Sequence, residues 1–113
     1  MSRRNAAKAR WAYAAPIFAA LGDETRLALV SRLGEGGPLS IARLTDGANV
    51  TRQAITKHLE VLSEAGLVRG ERSGRERLWA IEGGKLEEAR RCLDEISREW
   101  DMRLDRLRDF VER

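Results

Sequence analysis

The 113-residue chain predicts a mainly α fold with one small β-hairpin, in the order α-α-α-α-β-β-α. Three observations carry that prediction. Segments with Leu, Ile or Val at helical spacing are bounded by cap residues on one side and glycine on the other. A single β-prone stretch, "LVRGERSGRERLWAI" at 67–81, has turn residues at its centre. Beyond Gly84 the pattern is helical to Arg113, with no further Pro or Gly. The length suits one domain, residues 1–113.

Residues 1–13 form a basic N-terminal arm whose Ala, Lys and Arg would tolerate a helix. Pro16 suits the first turn of a helix ending at Leu21, with Ile17, Phe18 and Leu21 on one side. Gly22 ends it. Asp23 is a good N-cap for "ETRLALVSRLGEGG", whose inner stripe reads Leu27, Val30 and Leu33. Pro38 and Leu39 allow a short extended step. Ser40 caps a brief helix, Ile41 to Asp46, closed by Gly47. Asn49 and Val50 turn the chain, and Thr51 caps the next helix, with inner stripe Ile55, Leu59 and Leu62 and Gly66 just past its end. Two helices joined by a short Gly-containing turn, at 40–66, form a helix-turn-helix layout, and the 67–81 hairpin follows it as a wing.

Within the hairpin a strict two-residue loop at Ser73–Gly74 would set Glu71 opposite Glu76, a destabilising like-charge pair. A three-residue loop ending at Gly74 sets Glu71 opposite Arg75 and is the expected register. Arg72 and Arg75 then sit at the tip, with Arg77 behind. In the last helix, 84–113, Leu86, Leu93, Trp100 and Leu107 recur every seven residues. Ala89, Ile96 and Phe110 form a second row interrupted by Arg103, and Leu104 and Val111 widen the stripe. A helix so long and so striped needs a covering surface. The expectation is a homodimer formed through the terminal helices, with Ile17, Phe18, Leu93, Ile96, Trp100, Leu104 and Leu107 in the interface.

No apolar run approaches the roughly 20 residues of a membrane span, and "MSRRNAAKARWAYAAP" lacks the apolar core of a signal peptide. Cys92, the single cysteine, cannot form an internal disulfide. The expected location is a bacterial-type cytoplasm. Net charge is +3, but residues 1–81 carry a basic surplus and residues 82–113 an acidic one. All but Lys8, Lys57 and Lys85 of the 21 basic residues are arginine, which suits phosphate and base edges.

Those charges concentrate where a nucleic acid would meet the helix-turn-helix. The outward face of 51–65 is cationic and hydrogen-bonding at its start, with Thr51, Arg52, Gln53, Thr56 and Lys57, and acidic at its end, with Glu60 and Glu64. A recognition helix enters the major groove by its N-terminal end. Gln can bond adenine, Lys guanine, and Thr a polar edge or a thymine methyl. His58 lies on the flank, as a helix-packing residue or a phosphate contact. Arg72, Arg75 and Arg77 can clamp phosphates or enter a minor groove. The partner is therefore double-stranded DNA. No nucleophile–base pair, metal cluster or Gly-rich phosphate loop supports an enzyme. The competing readings are a protein-binding winged-helix module and a thiol-based redox sensor using Cys92.

"TRQAITKHLEVLSEAGLV", followed by "RGERSGRERLWAI" and preceded by "FAALGDETRLALVSRL", resembles the ArsR/SmtB family of winged helix-turn-helix repressors. The resemblance implies a homodimer on an imperfect palindromic operator near its own promoter. It also implies a signal, small molecule or protein, that releases the DNA. The metal-sensing members carry a cysteine box before the recognition helix, and its cysteine places fall here on Ser40 and Ala42. Members with sites on C-terminal helices use Asp and His, and residues 84–113 contain no His. "EWDMRLDRL", Glu99 to Leu107, is similar to members thought not to bind metal. The resemblance is thus to a metal-independent type, with no metal and no cofactor.

Overall fold

The computed structural model describes residues 2–112; the outermost residues of the expected arm and terminal helix, Met1 and Arg113, lie outside that range. The elements are α1 (Arg3–Leu21), α2 (Glu24–Gly36), β1 (Leu39–Ser40), α3 (Ile41–Thr45), α4 (Arg52–Glu64), β2 (Val68–Ser73), β3 (Glu76–Ile81) and α5 (Gly83–Glu112). The fold is mainly helical, with a three-stranded antiparallel sheet in the order β1-β3-β2.

Local chemistry explains most boundaries. The Asp23, Ser40 and Thr51 side chains accept hydrogen bonds from the amides of Arg26, Arg43 and Ala54, satisfying donors that a helix start leaves unpaired. Past the α4 cap at Ala65, Gly66 adopts φ +77°, a conformation that closes helices and disfavours a Cβ. Ile55, Leu59 and Leu62 of α4 meet Leu29 and Leu33 of α2, Leu44 of α3, Ile17 of α1 and Trp79 of β3 in one buried cluster. Each fully buried aliphatic side chain there stabilises the fold by about 1.5–3 kcal/mol.

The structure departs from the sequence reading at five points. Pro16 lies inside α1, which begins at Arg3 with Ser2 as its cap. Its missing amide removes only one intrahelical bond, and Ala-rich flanks sustain the helix on both sides. The buried side of α2 is Leu29 and Leu33, whereas Leu27 is half exposed; two residues of helix turn a side chain by about 200°. The extended step at Leu39–Ser40 is a strand, paired with Trp79 and Leu78 of β3. The hairpin turns at Gly74–Arg75, pairing Ser73 with Glu76, Arg72 with Arg77 and Glu71 with Leu78. Gly74 has φ +64° and Arg75 has no positive φ, the pattern of a type II′ turn, whose twist matches the strands. That shift keeps Glu71 from Glu76 without needing a longer loop. Finally, Ile17 is only 2% exposed and belongs to the chain's own core, so it is unavailable to a partner.

α5 explains the elongated shape. Its 30 residues span about 45 Å at 1.5 Å per residue, and the molecule extends 66 × 34 × 20 Å. Only its first half packs on the body, through Leu86, Ala89 and Cys92. From Ile96 to Glu112 every residue is exposed.

Candidate nucleic-acid interface

The helix-turn-helix presents the start of α4 to solvent. Thr51, Arg52, Gln53 and Lys57 are exposed, and Thr56 is half-buried. The Thr51 hydroxyl is engaged as the cap, 3.1 Å from the Ala54 nitrogen. The Thr56 hydroxyl donates to the Arg52 carbonyl at 2.9 Å, which leaves its methyl group and remaining lone pair to face outward. Helix geometry leaves the Arg52 and Gln53 amides without intrahelical acceptors, so the tip also carries the positive end of the helix dipole. Arg43, which the sequence reading passed over, lines one open concavity with Ser40, Thr45, Gly47 and Arg52. Glu76 of the wing lines it too and tempers its positive field. A basic residue on the first helix of a helix-turn-helix was the available signal, since that helix crosses the backbone.

The wing separates its charges. Arg69 holds Glu71 at 2.7 Å and also pairs with Glu82. Those carboxylates raise the Arg69 pKa further above its already high value. Among the described residues, Arg52, Lys57, Arg72, Arg75 and Arg77 have no carboxylate partner within ion-pair distance. Arg72 and Arg77 oppose one another across the strands, an unfavourable pairing without an anion between or beside them. Arg77 is steadied by folding back over Trp79, its guanidinium carbon 4.6 Å from the ring centroid. Gly70 makes this possible: a Cβ there would lie 2.4 Å from Arg77 Nε.

The structure thus brings Arg52, Gln53, Thr56 and Lys57 together on α4 and sets Arg72, Arg75 and Arg77 on the exposed wing. His58 turns elsewhere: its Nδ1 lies 3.2 Å from Arg26 Nη1, on α2. Of the residues read as an interface between protomers, Phe18 is partly buried against the core. Leu93, Ile96, Trp100, Leu104 and Leu107 are all exposed in the single chain, Trp100 by 60%. Cys92 is buried on α5, a setting that shields a thiol from reagents. Among the described residues, no group of three or more His, Cys, Asp or Glu is placed to hold a metal, and no helix is long and apolar enough to cross a membrane.

A capped recognition helix behind a short first helix, followed by a basic two-stranded wing, defines a winged helix-turn-helix protein of the DNA-binding kind. A family model described as a helix-turn-helix domain matches residues 21–71. The chain is 31% identical over 83 residues to the HTH-type transcriptional regulator MJ1325 of Methanocaldococcus jannaschii, covering 74% of this chain and 93% of that protein. It is 39% identical to an ArsR-like transcriptional regulator from Rhodococcus sp. RHA1, with a TM-score of 0.73 over 88% of this chain and 93% of that structure. The chain belongs to the ArsR/SmtB family of DNA-binding transcriptional regulators. Its fold also matches the homodimeric winged helix-turn-helix DNA-binding domain of Mb0332 from Mycobacterium bovis, 23% identical with a TM-score of 0.63 over 94% of this chain and 93% of that one.

Proposed function

We propose that this regulator is a homodimeric, metal-independent repressor that reads an imperfect palindromic operator, near its own promoter, with the first two turns of α4. One observation carries the proposal: exposed Arg52, Gln53 and Lys57 share the helix start with amides that lack intrahelical partners, beside a wing whose Arg72, Arg75 and Arg77 have no carboxylate partner among the described residues. Gln53, Thr56 and Lys57 contact bases. Arg52, Arg72, Arg75 and Arg77 hold phosphates or the minor groove. Glu60 and Glu64, further along α4, are repelled by the backbone and confine the approach to the helix start.

Dimerisation is supported by the exposed α5 stripe and by the homodimeric state of the Mb0332 domain. A two-fold would set the recognition helices roughly 34 Å apart, in successive major grooves. A dimer seated so occupies DNA that polymerase requires, which favours repression. Metal independence is supported by Ser40 and Ala42 at the family's cysteine places, where neither side chain can supply a thiolate.

The decisive experiment is to select a duplex with the wild-type protein and titrate it with variants. Gln53→Ala and Lys57→Ala should each lose about 1–3 kcal/mol and relax specificity. Arg75→Ala should weaken every sequence alike and lower the salt slope by about one. Unchanged affinity in both Gln53→Ala and Lys57→Ala would overturn the assignment.

A further inference from the structure

Arg26, in the first turn of α2, joins three helices. Its Nε donates to the carbonyl of Ala20, in the last turn of α1, and its Nη1 lies 3.2 Å from Nδ1 of His58 on α4. Its backbone amide donates to Asp23 Oδ2 at 3.0 Å, and that carboxylate lies 3.9 Å from the same His58 nitrogen. The end of α1, the start of α2 and the flank of α4 therefore meet at one guanidinium. Guanidinium nitrogens only donate, so at this distance Nδ1 must accept.

The rest of α4's seat is of a different kind. Ile55, Leu59 and Leu62 are buried in apolar contact, which is strong but weakly directional. Among the described residues, the Arg26–His58 bond is the side-chain hydrogen bond that ties α4 to another helix. It is partly buried, and it acts one residue after Lys57, half a turn off the reading face. A directional contact at that place sets how α4 is rotated about its axis, and so where Gln53, Thr56 and Lys57 point.

We propose, resting on the DNA-reading role above, that His58 is a positioning residue: the Arg26–His58 hydrogen bond, anchored on the Ala20 carbonyl, fixes the rotation of the recognition helix. The groups facing His58 are Asp23 and Arg26 of α2, while α1 contributes the Ala20 carbonyl through Arg26.

The test uses a duplex selected by the wild-type chain from a random pool, with a scrambled duplex beside it. His58→Ala should lose about tenfold on the selected duplex, the scale of one hydrogen bond to a charged group. It should bind the scrambled duplex as the wild type does, with the same salt slope. His58→Asn, whose Oδ1 can accept in place of Nδ1, should recover most of that loss. Arg26→Gln should reproduce His58→Ala, with no further loss in the double variant. In the free protein, His58→Ala but not His58→Asn should speed hydrogen exchange in α4. Full discrimination or unchanged α4 exchange in His58→Ala would overturn the proposal. So would a salt slope lowered by about one, which would make His58 a phosphate contact. A wild type that selected no sequence would refute the DNA-reading role itself; the α4 exchange result would still judge the positioning role without DNA.

Discussion

Replacing Trp100 by Glu tests the proposed dimer where its effect is largest. Trp100 is 60% exposed in the single chain. A tryptophan has up to about 250 Å² to bury, so about 150 Å² of it remains open, worth about 4 kcal/mol at about 25 cal/mol/Å². Ordering the side chain on association takes back about 1 kcal/mol, and the two-fold repeats the remainder in the partner. The substitution therefore removes up to about 6 kcal/mol per dimer, or about four orders of magnitude in the dimer constant. It also sets a carboxylate between Glu99 and Asp101, which opposes association further. The residue projects from the exposed half of α5 and touches no part of the buried core, so the monomer should keep its fold. Sedimentation at micromolar concentration, with operator titration, is the assay. The wild type should sediment as a dimer, and Trp100→Glu as a folded monomer that binds the operator poorly. A monomeric wild type, or a dimeric Trp100→Glu with full operator affinity, would refute the reasoning.

Four further outcomes follow from other parts of the molecule. Leu59→Ala, at a side chain with no exposure, should lose about 2–5 kcal/mol in urea unfolding, since the core cannot fully collapse around the cavity. Gly70→Ala should leave the fold intact but displace Arg77, whose Nε would lie 2.4 Å from the new Cβ; weakened DNA affinity with an unchanged melting curve is the expected pair of results. The hydrogen bond from the Arg26 amide, then the charge of Arg26, hold the Asp23 carboxyl below its ordinary pKa of 3.8. Its contribution to stability is therefore full above that value and is lost as pH falls below it; Asp23→Asn should remove that part of the acid dependence while keeping the cap. Operator affinity should be equal in chelator and in added Zn²⁺, Cd²⁺ or arsenite, and a stoichiometric metal that abolished binding would contradict metal independence.

Local signals made most elements readable before folding. Asp23, Ser40 and Thr51 cap because their short polar side chains reach amides three residues on. Ile55, Leu59 and Leu62 share one face because helical spacing puts them there. The same periodicity shows that Gln53 and Lys57 point away from that face. The exposed stripe of α5 was likewise visible as a seven-residue repeat. Each of these follows from interactions within about one turn of chain.

What the sequence left undecided depends on contacts between distant segments. α2 offers apolar side chains around much of its circumference, and only docking against α4 and β3 chose Leu29 over Leu27. Ile17 was read as part of the interface between protomers, but the docking of α1 buries it in one cluster with Leu29, Leu59 and Trp79 of the same chain. The hairpin was expected to close in a three-residue loop ending at Gly74; β3, pinned by β1 at Trp79 and Leu78, sets the turn at Gly74–Arg75 instead. Arg77's place on Trp79 needs a glycine seven residues earlier, on the paired strand. His58's partner is 32 residues away, on α2. The sequence by itself determined α2 to α5, the caps at Asp23, Ser40 and Thr51 and the polar face of α4, because these rest on local hydrogen bonds and on period. Only the tertiary structure decided which apolar arc is inside and where Arg77 and His58 point, because those choices minimise the free energy of surfaces that meet only once the chain is folded.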